Sequence, residues 1–244
     1  MMKILSIDGG GVRGLIPGMV VVEIERRMGK PVSELFDLIA GTSAGGHIAL
    51  ALTCPGADGK PRWKAEDLAV FYREAYGRIF ESSGLRIFDT LKGLSNERYS
   101  AEGIEKVLDE ILGDTKISEA LCEVLITAYE VESGMPHFFV RSEARENEAK
   151  DYLMRFVARA TSAAPTYFEP AAKIGSDERL AFIDGAVFAN NPTMCAFAHA
   201  MSIGYDEDDM TIISIGTGAV ARELAYDEIK HWGLANWARP ILDI

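Results

Sequence analysis

Cysteine, histidine and basic residues are all scarce in this chain. Its 244 residues include three cysteines and four histidines, and 37 acidic residues against 25 basic ones give a net charge of −12. Three widely separated cysteines fit a reducing compartment better than a disulfide framework. Phosphate binding needs clustered lysine and arginine, so this charge argues against nucleic acid as a partner. It also disfavours strong attraction to anionic membranes, although a local basic or apolar patch could still dock.

Long apolar runs and metal-binding motifs are absent as well. No segment approaches the ~18 continuous apolar residues of a membrane span, and the first apolar run is too short for a secretory signal. Neither CxxC nor HExxH occurs, so no metal or other cofactor is expected. These absences predict a cytoplasmic protein. The chain stops in an apolar and aromatic stretch, where natural termini are usually polar, and this predicts that the parent protein continues.

Apolar runs bounded by glycine alternate with segments of helical periodicity. The predicted strands are residues 4–7, 35–40, 124–129, 180–183 and 210–215. The predicted helices are residues 15–28, 65–76, 100–112, 151–160 and 193–203. Alternation of this kind predicts an α/β fold with a mostly parallel sheet covered on both faces. Functional sites in such sheets gather at the carboxyl ends of strands.

The second predicted strand ends in the pattern G-T-S-A-G, from Gly41 to Gly45, and an apolar helix follows at once. In this order the serine, Ser43, lies on a sharp bend with its hydroxyl exposed, and the flanking glycines leave room for a substrate. The amino end of the helix favours negative charge that forms there. Ser43 is therefore a candidate nucleophile.

The first predicted strand runs into D-G-G-G-V-R-G, residues 8–14. Its glycines match the dinucleotide fingerprint, so a nucleotide-binding module that uses the Gly9–Gly14 loop is one alternative. The acidic residue that this fingerprint requires at the end of the second strand is missing. Free N–H groups of Gly9, Gly10 and Gly11 suit a developing oxyanion instead. Arg13 could add positive charge or pair with Asp8 or Asp37.

A serine nucleophile needs a base, which is usually a histidine. None of His47, His137, His199 and His231 stands at a strand end next to a glycine. An esterase with a Ser-His-Asp triad, in which His199 or His231 is the base, remains the second alternative.

One carboxylate does stand at a strand end. Asp184 follows the apolar residues 180–183 and precedes Gly185. A free aspartate is a weak base, but burial raises the pKa of a carboxyl toward working pH. The side chains of Asn190 and Asn191 are the expected hydrogen-bond donors to it.

The motifs D-G-G-G-V-R-G, G-T-S-A-G-G and D-G-A, in this order, resemble the patatin-like phospholipase family. Residues 97–150, the A-T-S-A-A-P-T-Y-F segment (160–168) and the N-N-P segment (190–192) extend the resemblance over nearly the whole chain. The family consists of serine acyl hydrolases with a Ser-Asp dyad. The resemblance implies that Ser43 is the nucleophile, Asp184 its base, and Gly9–Gly11 the oxyanion loop. Supporting positions are Arg13, Gly41, Gly45 and Gly185.

The resemblance also implies a three-layer α/β/α fold, with residues 1–244 forming a single catalytic domain that lacks a C-terminal continuation. It implies a phospholipase A-type enzyme, lysophospholipase or galactolipase that needs no calcium. The partners would be a phospholipid or other glycerolipid and, transiently, a membrane or micelle surface. Residues 78–94 combine large apolar side chains with three cations. They form either a lipid-facing lid or a loop that closes over the core.

Overall fold

The computed structural model describes residues 1–79, 99–174, 179–218 and 225–232. One mixed sheet contains β1 (Met2–Ile7), β2 (Leu38–Gly41), β3 (Glu123–Glu130), β4 (Met135–Val140), β5 (Ala171–Ile174), β6 (Arg179–Asp184) and β7 (Met210–Ile215). The helices are α1 (Leu15–Met28), α2 (Val32–Leu35), α3 (Ala44–Thr53), α4 (Ala65–Ile79), α5 (Ala101–Leu112), α6 (Arg141–Glu146), α7 (Met154–Thr161), α8 (Ala186–Ala189), α9 (Thr193–Ser202) and α10 (Tyr226–Ile229).

The strands run in the order β5-β6-β3-β2-β1-β7, and β4 pairs with β3 outside this path. β7, β1, β2 and β3 are mutually parallel, whereas β4 and β6 are antiparallel to β3. Apolar side chains of β1, β2 and β3 alternate between two hydrophobic clusters, one on each face of the sheet. Helices including α3, α5 and α7 contribute to the larger cluster, and α9 contributes to the smaller one. The predicted α/β fold with a mostly parallel central sheet is confirmed.

Two elements are predicted to start three residues too early. The predicted strand at 35–40 begins only at Leu38, because Leu35 ends the short helix α2 and the N–H of Phe36 still donates to the Val32 carbonyl oxygen. The predicted helix at 151–160 begins only at Met154, because Leu153 has an extended backbone and bridges to Lys116. Neither β4 nor β5 is among the five predicted strands, and three of the four residues of β5 are exposed and show no apolar pattern.

Two strands meet end to end on one edge of β3. β4 pairs with residues 125–130 of β3 and occupies one edge of that strand. β2 pairs with residues 123–126 and β6 with residues 128–130, and both ranges overlap the range paired with β4. β2 and β6 therefore both lie on the other edge of β3. β2 is parallel to β3 and ends at Gly41, which pairs with Ile126. β6 is antiparallel and ends at Asp184, which pairs with Ala128. The carboxyl ends of β2 and β6 therefore converge, and the residues that follow them are brought together.

The predicted lid at 78–94 lies outside the described residues except for the last two residues of α4. Of these, Ile79 is buried and Arg78 forms an ion pair with Glu110. Among the helices of the described ranges, none has the length and apolar character needed to cross a bilayer.

Candidate active site

Ser43 lies on a strained bend between β2 and α3. Its φ of 53° and ψ of −123° are unusual for a residue with a side chain, and such a conformation costs about 1–3 kcal/mol. The Ser43 carbonyl oxygen accepts a hydrogen bond from the N–H of His47 at 3.0 Å. A Cβ on Gly45 would overlap the carbonyl oxygen of Ile7, and one on Gly41 would overlap the main chain of Gly45. The two glycines predicted to support the bend are thus required by close backbone packing.

The Ser43 hydroxyl donates a hydrogen bond to Asp184. Ser43 Oγ lies 2.7 Å from Asp184 Oδ2, and both side chains are buried. The other carboxylate oxygen, Oδ1, accepts the backbone N–H of Ala186 at 2.8 Å. The structure thus brings together the two residues that the sequence analysis paired, although 141 positions separate them. Gly185 follows directly, and a Cβ there would overlap the side chain and main chain of Thr127.

Burial changes the acidity of this carboxyl. Desolvation raises the pKa of Asp184 to about 6, and the hydrogen bonds from the Ala186 N–H and the Ser43 hydroxyl offset only part of that effect. A carboxyl with this pKa is a stronger base than free aspartate and is ionised at neutral pH.

The expectation that Asn190 and Asn191 donate to Asp184 is wrong. The side-chain amide of Asn190 donates to the Gly9 carbonyl oxygen at 3.3 Å, and that of Asn191 donates to Asp8 Oδ1 at 2.8 Å. Both asparagines follow the short helix α8, so they lie beyond Asp184 and contact the residues directly after β1.

The glycine loop after β1 packs against Ser43. A Cβ on Gly9 would lie 3.3 Å from the Cβ of Ser43. The N–H of Gly9 donates to the Asn190 carbonyl oxygen at 3.0 Å, so it is not available to a substrate. Within the described ranges, no hydrogen bond engages the N–H of Gly10 or Gly11. Gly11 also has a φ of +54°, which favours glycine. Of the three predicted donors, Gly10 and Gly11 have no N–H acceptor in the described part of the chain, and Gly9 anchors the loop.

Arg13 is half-buried in the 3₁₀ turn Gly11–Gly14, directly after the glycines. Asp8 and Asp37, the two expected partners of Arg13, both accept hydrogen bonds from other residues. Asp37 Oδ2 accepts the backbone N–H of Lys3 at 2.7 Å, and Asp8 Oδ1 accepts from Asn191.

All four histidines lie in the described ranges, and none is hydrogen-bonded to Ser43 or Asp184. His47 Nε2 lies 3.0 Å from the Ala158 carbonyl oxygen, and desolvation lowers its pKa to about 4. His137 packs against aromatic rings, and His231 is exposed. His199 Nε2 lies 3.7 Å from Glu123, which pairs with Leu38 at the start of β2, the opposite end of that strand from the bend. The geometry therefore offers no support for a histidine base.

Three threonines of the site were not singled out by residue-level reasoning. The Thr161 hydroxyl accepts the N–H of Ser43 at 2.9 Å. The hydroxyls of Thr42 and Thr127 lie 2.7 Å apart, and Thr42 also donates to the Ala189 carbonyl oxygen. The motifs of the family resemblance contain Thr42, in G-T-S-A-G-G, and Thr161, in A-T-S-A-A-P, but not Thr127. A buried threonine has no sequence pattern that separates it from ordinary core.

The described residues contain no group of three or more histidine, cysteine, aspartate or glutamate side chains placed to hold a metal ion. What the arrangement offers is a hydroxyl bonded to a buried carboxylate at the amino end of α3, with the glycine loop packed against the same serine through Gly9. This combination suits acyl transfer through a serine ester.

Comparison with known proteins identifies the family of the chain. The family model described as patatin-like phospholipase matches residues 5–197. "Patatin-like protein 2" of Oryza sativa subsp. indica is 33% identical over 280 residues, covering 100% of this chain and 69% of the relative. "Patatin-like protein 4" of Arabidopsis thaliana is 34% identical, covering 100% of this chain and 68% of the relative. "Probable inactive patatin-3-Kuras 1" of Solanum tuberosum is 29% identical, with coverages of 100% and 70%.

Among solved structures, VipD from Legionella pneumophila aligns with a TM-score of 0.42 at 12% identity, over 86% of this chain and 49% of that one. The assignment therefore rests on the family model and on the plant relatives. Since that model spans most of the chain, and relatives above 30% identity cover it entirely, the protein belongs to the patatin-like phospholipase family.

Proposed function

We propose that this protein hydrolyses fatty-acyl esters of glycerolipids through a Ser43–Asp184 dyad. Its family is one of lipid acyl hydrolases, which supports ester hydrolysis in general. The observation that carries the mechanism is the 2.7 Å hydrogen bond from Ser43 Oγ to Asp184 Oδ2.

In the first step, the Asp184 carboxylate accepts the hydroxyl proton as Ser43 Oγ bonds to the ester carbonyl carbon. The carbonyl oxygen becomes an oxyanion, which the N–H groups of Gly10 and Gly11 stabilise. Loss of one such donor typically costs about 2.7–4 kcal/mol of transition-state stabilisation. The amino end of α3 adds a favourable field.

In the second step, Asp184 returns its proton to the departing alkoxide as the ester C–O bond breaks, and the alcohol leaves. The acyl group remains bound to Ser43 Oγ. A water molecule then gives a proton to Asp184 and attacks the acyl carbon. As that intermediate collapses, the bond between the acyl carbon and Ser43 Oγ breaks, Asp184 returns the proton to Oγ, and the fatty acid leaves.

Apolar side chains near both halves of the dyad support a lipid substrate taken from a membrane or micelle surface. Val12 and Ile16 follow the glycine loop, and Val187 and Phe188 follow Asp184. Each is at least 36% exposed. Exposed apolar groups of this kind suit contact with lipid. Phospholipase A-type, lysophospholipase and galactolipase activities all fit this proposal, with residues 1–244 acting as one catalytic domain.

The deciding experiment is incubation with defined phospholipids and galactolipids, followed by mass spectrometry of the released fatty acids. Wild type should release fatty acid, and Ser43→Ala should not. Ser33→Ala is the matched control, because Ser33 is as buried as Ser43 but lies on α2. Equal release by wild type and Ser43→Ala would reject the serine mechanism. Specific binding of labelled ATP or dinucleotides, without lipid hydrolysis, would favour the nucleotide-binding alternative.

A further inference from the structure

Thr161 contacts both strand ends that form the site. It is the last residue of α7 and is fully buried. Its Oγ1 accepts the backbone N–H of Ser43 at 2.9 Å. Its carbonyl oxygen accepts the backbone N–H of Gly185, the residue after Asp184, at 3.4 Å. One residue thus joins the bend after β2 to the end of β6.

A second contact from the same segment reinforces this link. The Ala163 carbonyl oxygen accepts the backbone N–H of Asp184 at 3.0 Å. The segment 161–163 therefore binds the main chain of Ser43, Asp184 and Gly185. Because β2 and β6 only meet end to end, no ladder of hydrogen bonds joins them directly in the described sheet. The end of α7 provides the connection that the sheet does not.

The hydrogen bond from the Ser43 N–H to the Thr161 hydroxyl involves the peptide group that precedes the strained residue Ser43. Ser43 is the residue directly before α3, and its N–H donates to the Thr161 hydroxyl. A buried N–H without an acceptor costs about 1–3 kcal/mol, which is comparable to the strain of the bend itself. Without this acceptor, the peptide group between Thr42 and Ser43 can relieve both costs by rotating. Such a rotation would move Ser43 Oγ away from Asp184.

We infer that Thr161 is a positioning residue for acyl transfer, in that its hydroxyl fixes the nucleophile in line with Asp184 and the oxyanion loop. The inference rests on the proposed function. Thr161 itself does not touch the reacting atoms. Its removal should slow the chemical step and leave substrate binding nearly unchanged, since only alignment is lost. A misplacement of about 1 Å can cost on the order of 100-fold in rate.

The test uses kcat and KM on a soluble short-chain ester, with three variants. Thr161→Val keeps the shape of the side chain and removes the acceptor, whereas Thr161→Ser keeps the hydroxyl. Thr53→Val is the matched control, because Thr53 is also fully buried and its hydroxyl donates to the carbonyl oxygens of Ala49 and Leu50 at the far end of α3. We expect Thr161→Val to lower kcat by about 100-fold with KM little changed. Thr161→Ser and Thr53→Val should keep most of the wild-type kcat.

A wild-type kcat in Thr161→Val would overturn the inference. So would an equal loss in Thr161→Ser, or a rise in KM that accounts for the whole effect. Should Thr161→Val fail to fold, Thr161→Ala is compared with Thr161→Ser by the rate at which a fluorophosphonate labels Ser43 in the folded fraction. Slower labelling of the alanine variant alone supports the positioning role, and equal rates reject it. Failure of the proposed function is a separate result, because wild type and Ser43→Ala would then be indistinguishable.

Discussion

Asn190 binds both the backbone N–H and the carbonyl oxygen of Gly9. Its carbonyl oxygen accepts the Gly9 N–H at 3.0 Å, and its side-chain amide donates to the Gly9 carbonyl oxygen at 3.3 Å. The Thr217 hydroxyl donates to the same carbonyl oxygen at 3.0 Å. Gly9 is thereby fixed next to Ser43, and the N–H groups of the next two glycines have no acceptor among the described residues. Preorganised donors of this kind are the most effective ones in acyl transfer.

The two side chains that hold Gly9 should act together. Asn190→Ala and Thr217→Val each remove one hydrogen bond of about 0.5–1.5 kcal/mol, so each should lower kcat by at most about tenfold. The double variant frees the Gly9 carbonyl oxygen from both donors and should lose more than either single variant. Steady-state kinetics on a soluble ester measures all three. A double variant with wild-type kcat would show that the loop needs neither side chain.

The pH dependence of hydrolysis should report Asp184. Its carboxyl must be ionised to accept the Ser43 proton, and burial raises its pKa to about 6. We therefore expect kcat/KM for an uncharged ester to rise with pH through about 6 and then level off. The profile is measured at constant ionic strength. A free aspartate would titrate near pH 3.9. A midpoint near that value would contradict the effect of burial.

Histidine should be dispensable for turnover. His199 lies beside Glu123, at the far end of β2 from the bend, and His231 is exposed. The variants His199→Ala and His231→Ala should keep most of the wild-type kcat, as measured on the same ester. Loss of turnover in either variant, with the fold intact by circular dichroism, would favour the triad alternative.

The sequence predicted those features that depend on local pattern. Glycines and apolar runs marked the bend at Ser43 and the strand end at Asp184, since each is a strand followed by a turn. The pairing of these residues was expected from family resemblance, and its physical cause is the end-to-end meeting of β2 and β6 on β3. The roles of Asn190 and Thr161 could not be predicted, because each depends on contacts between segments more than a hundred residues apart.

Asp184→Asn should abolish hydrolysis and stabilise the protein at alkaline pH. The folded-state pKa of Asp184, about 6, is higher than its ordinary value, so the folded protein loses stability as pH rises from about 4 to about 6. Above this range the buried charge costs roughly 3 kcal/mol of the free energy of unfolding. The neutral amide avoids that cost and can still accept the Ala186 N–H. Urea denaturation at pH 8 should show the variant to be more stable than wild type, and the difference should nearly vanish at pH 4.

Glu130→Gln is the control of opposite sign. Glu130 is buried on β3, where desolvation raises the pKa of its carboxyl, but hydrogen bonds from Ser133, Ala181 and Glu132 outweigh it and lower the pKa to about 2. The folded state therefore favours the ionised form, and this stability is present at pH 8 and is lost as pH falls toward 2. Glu130→Gln should consequently destabilise the protein at pH 8, where Asp184→Asn stabilises it. A destabilised Asp184→Asn at pH 8 would mean that hydrogen bonding, and not desolvation, dominates the energetics of the Asp184 carboxylate.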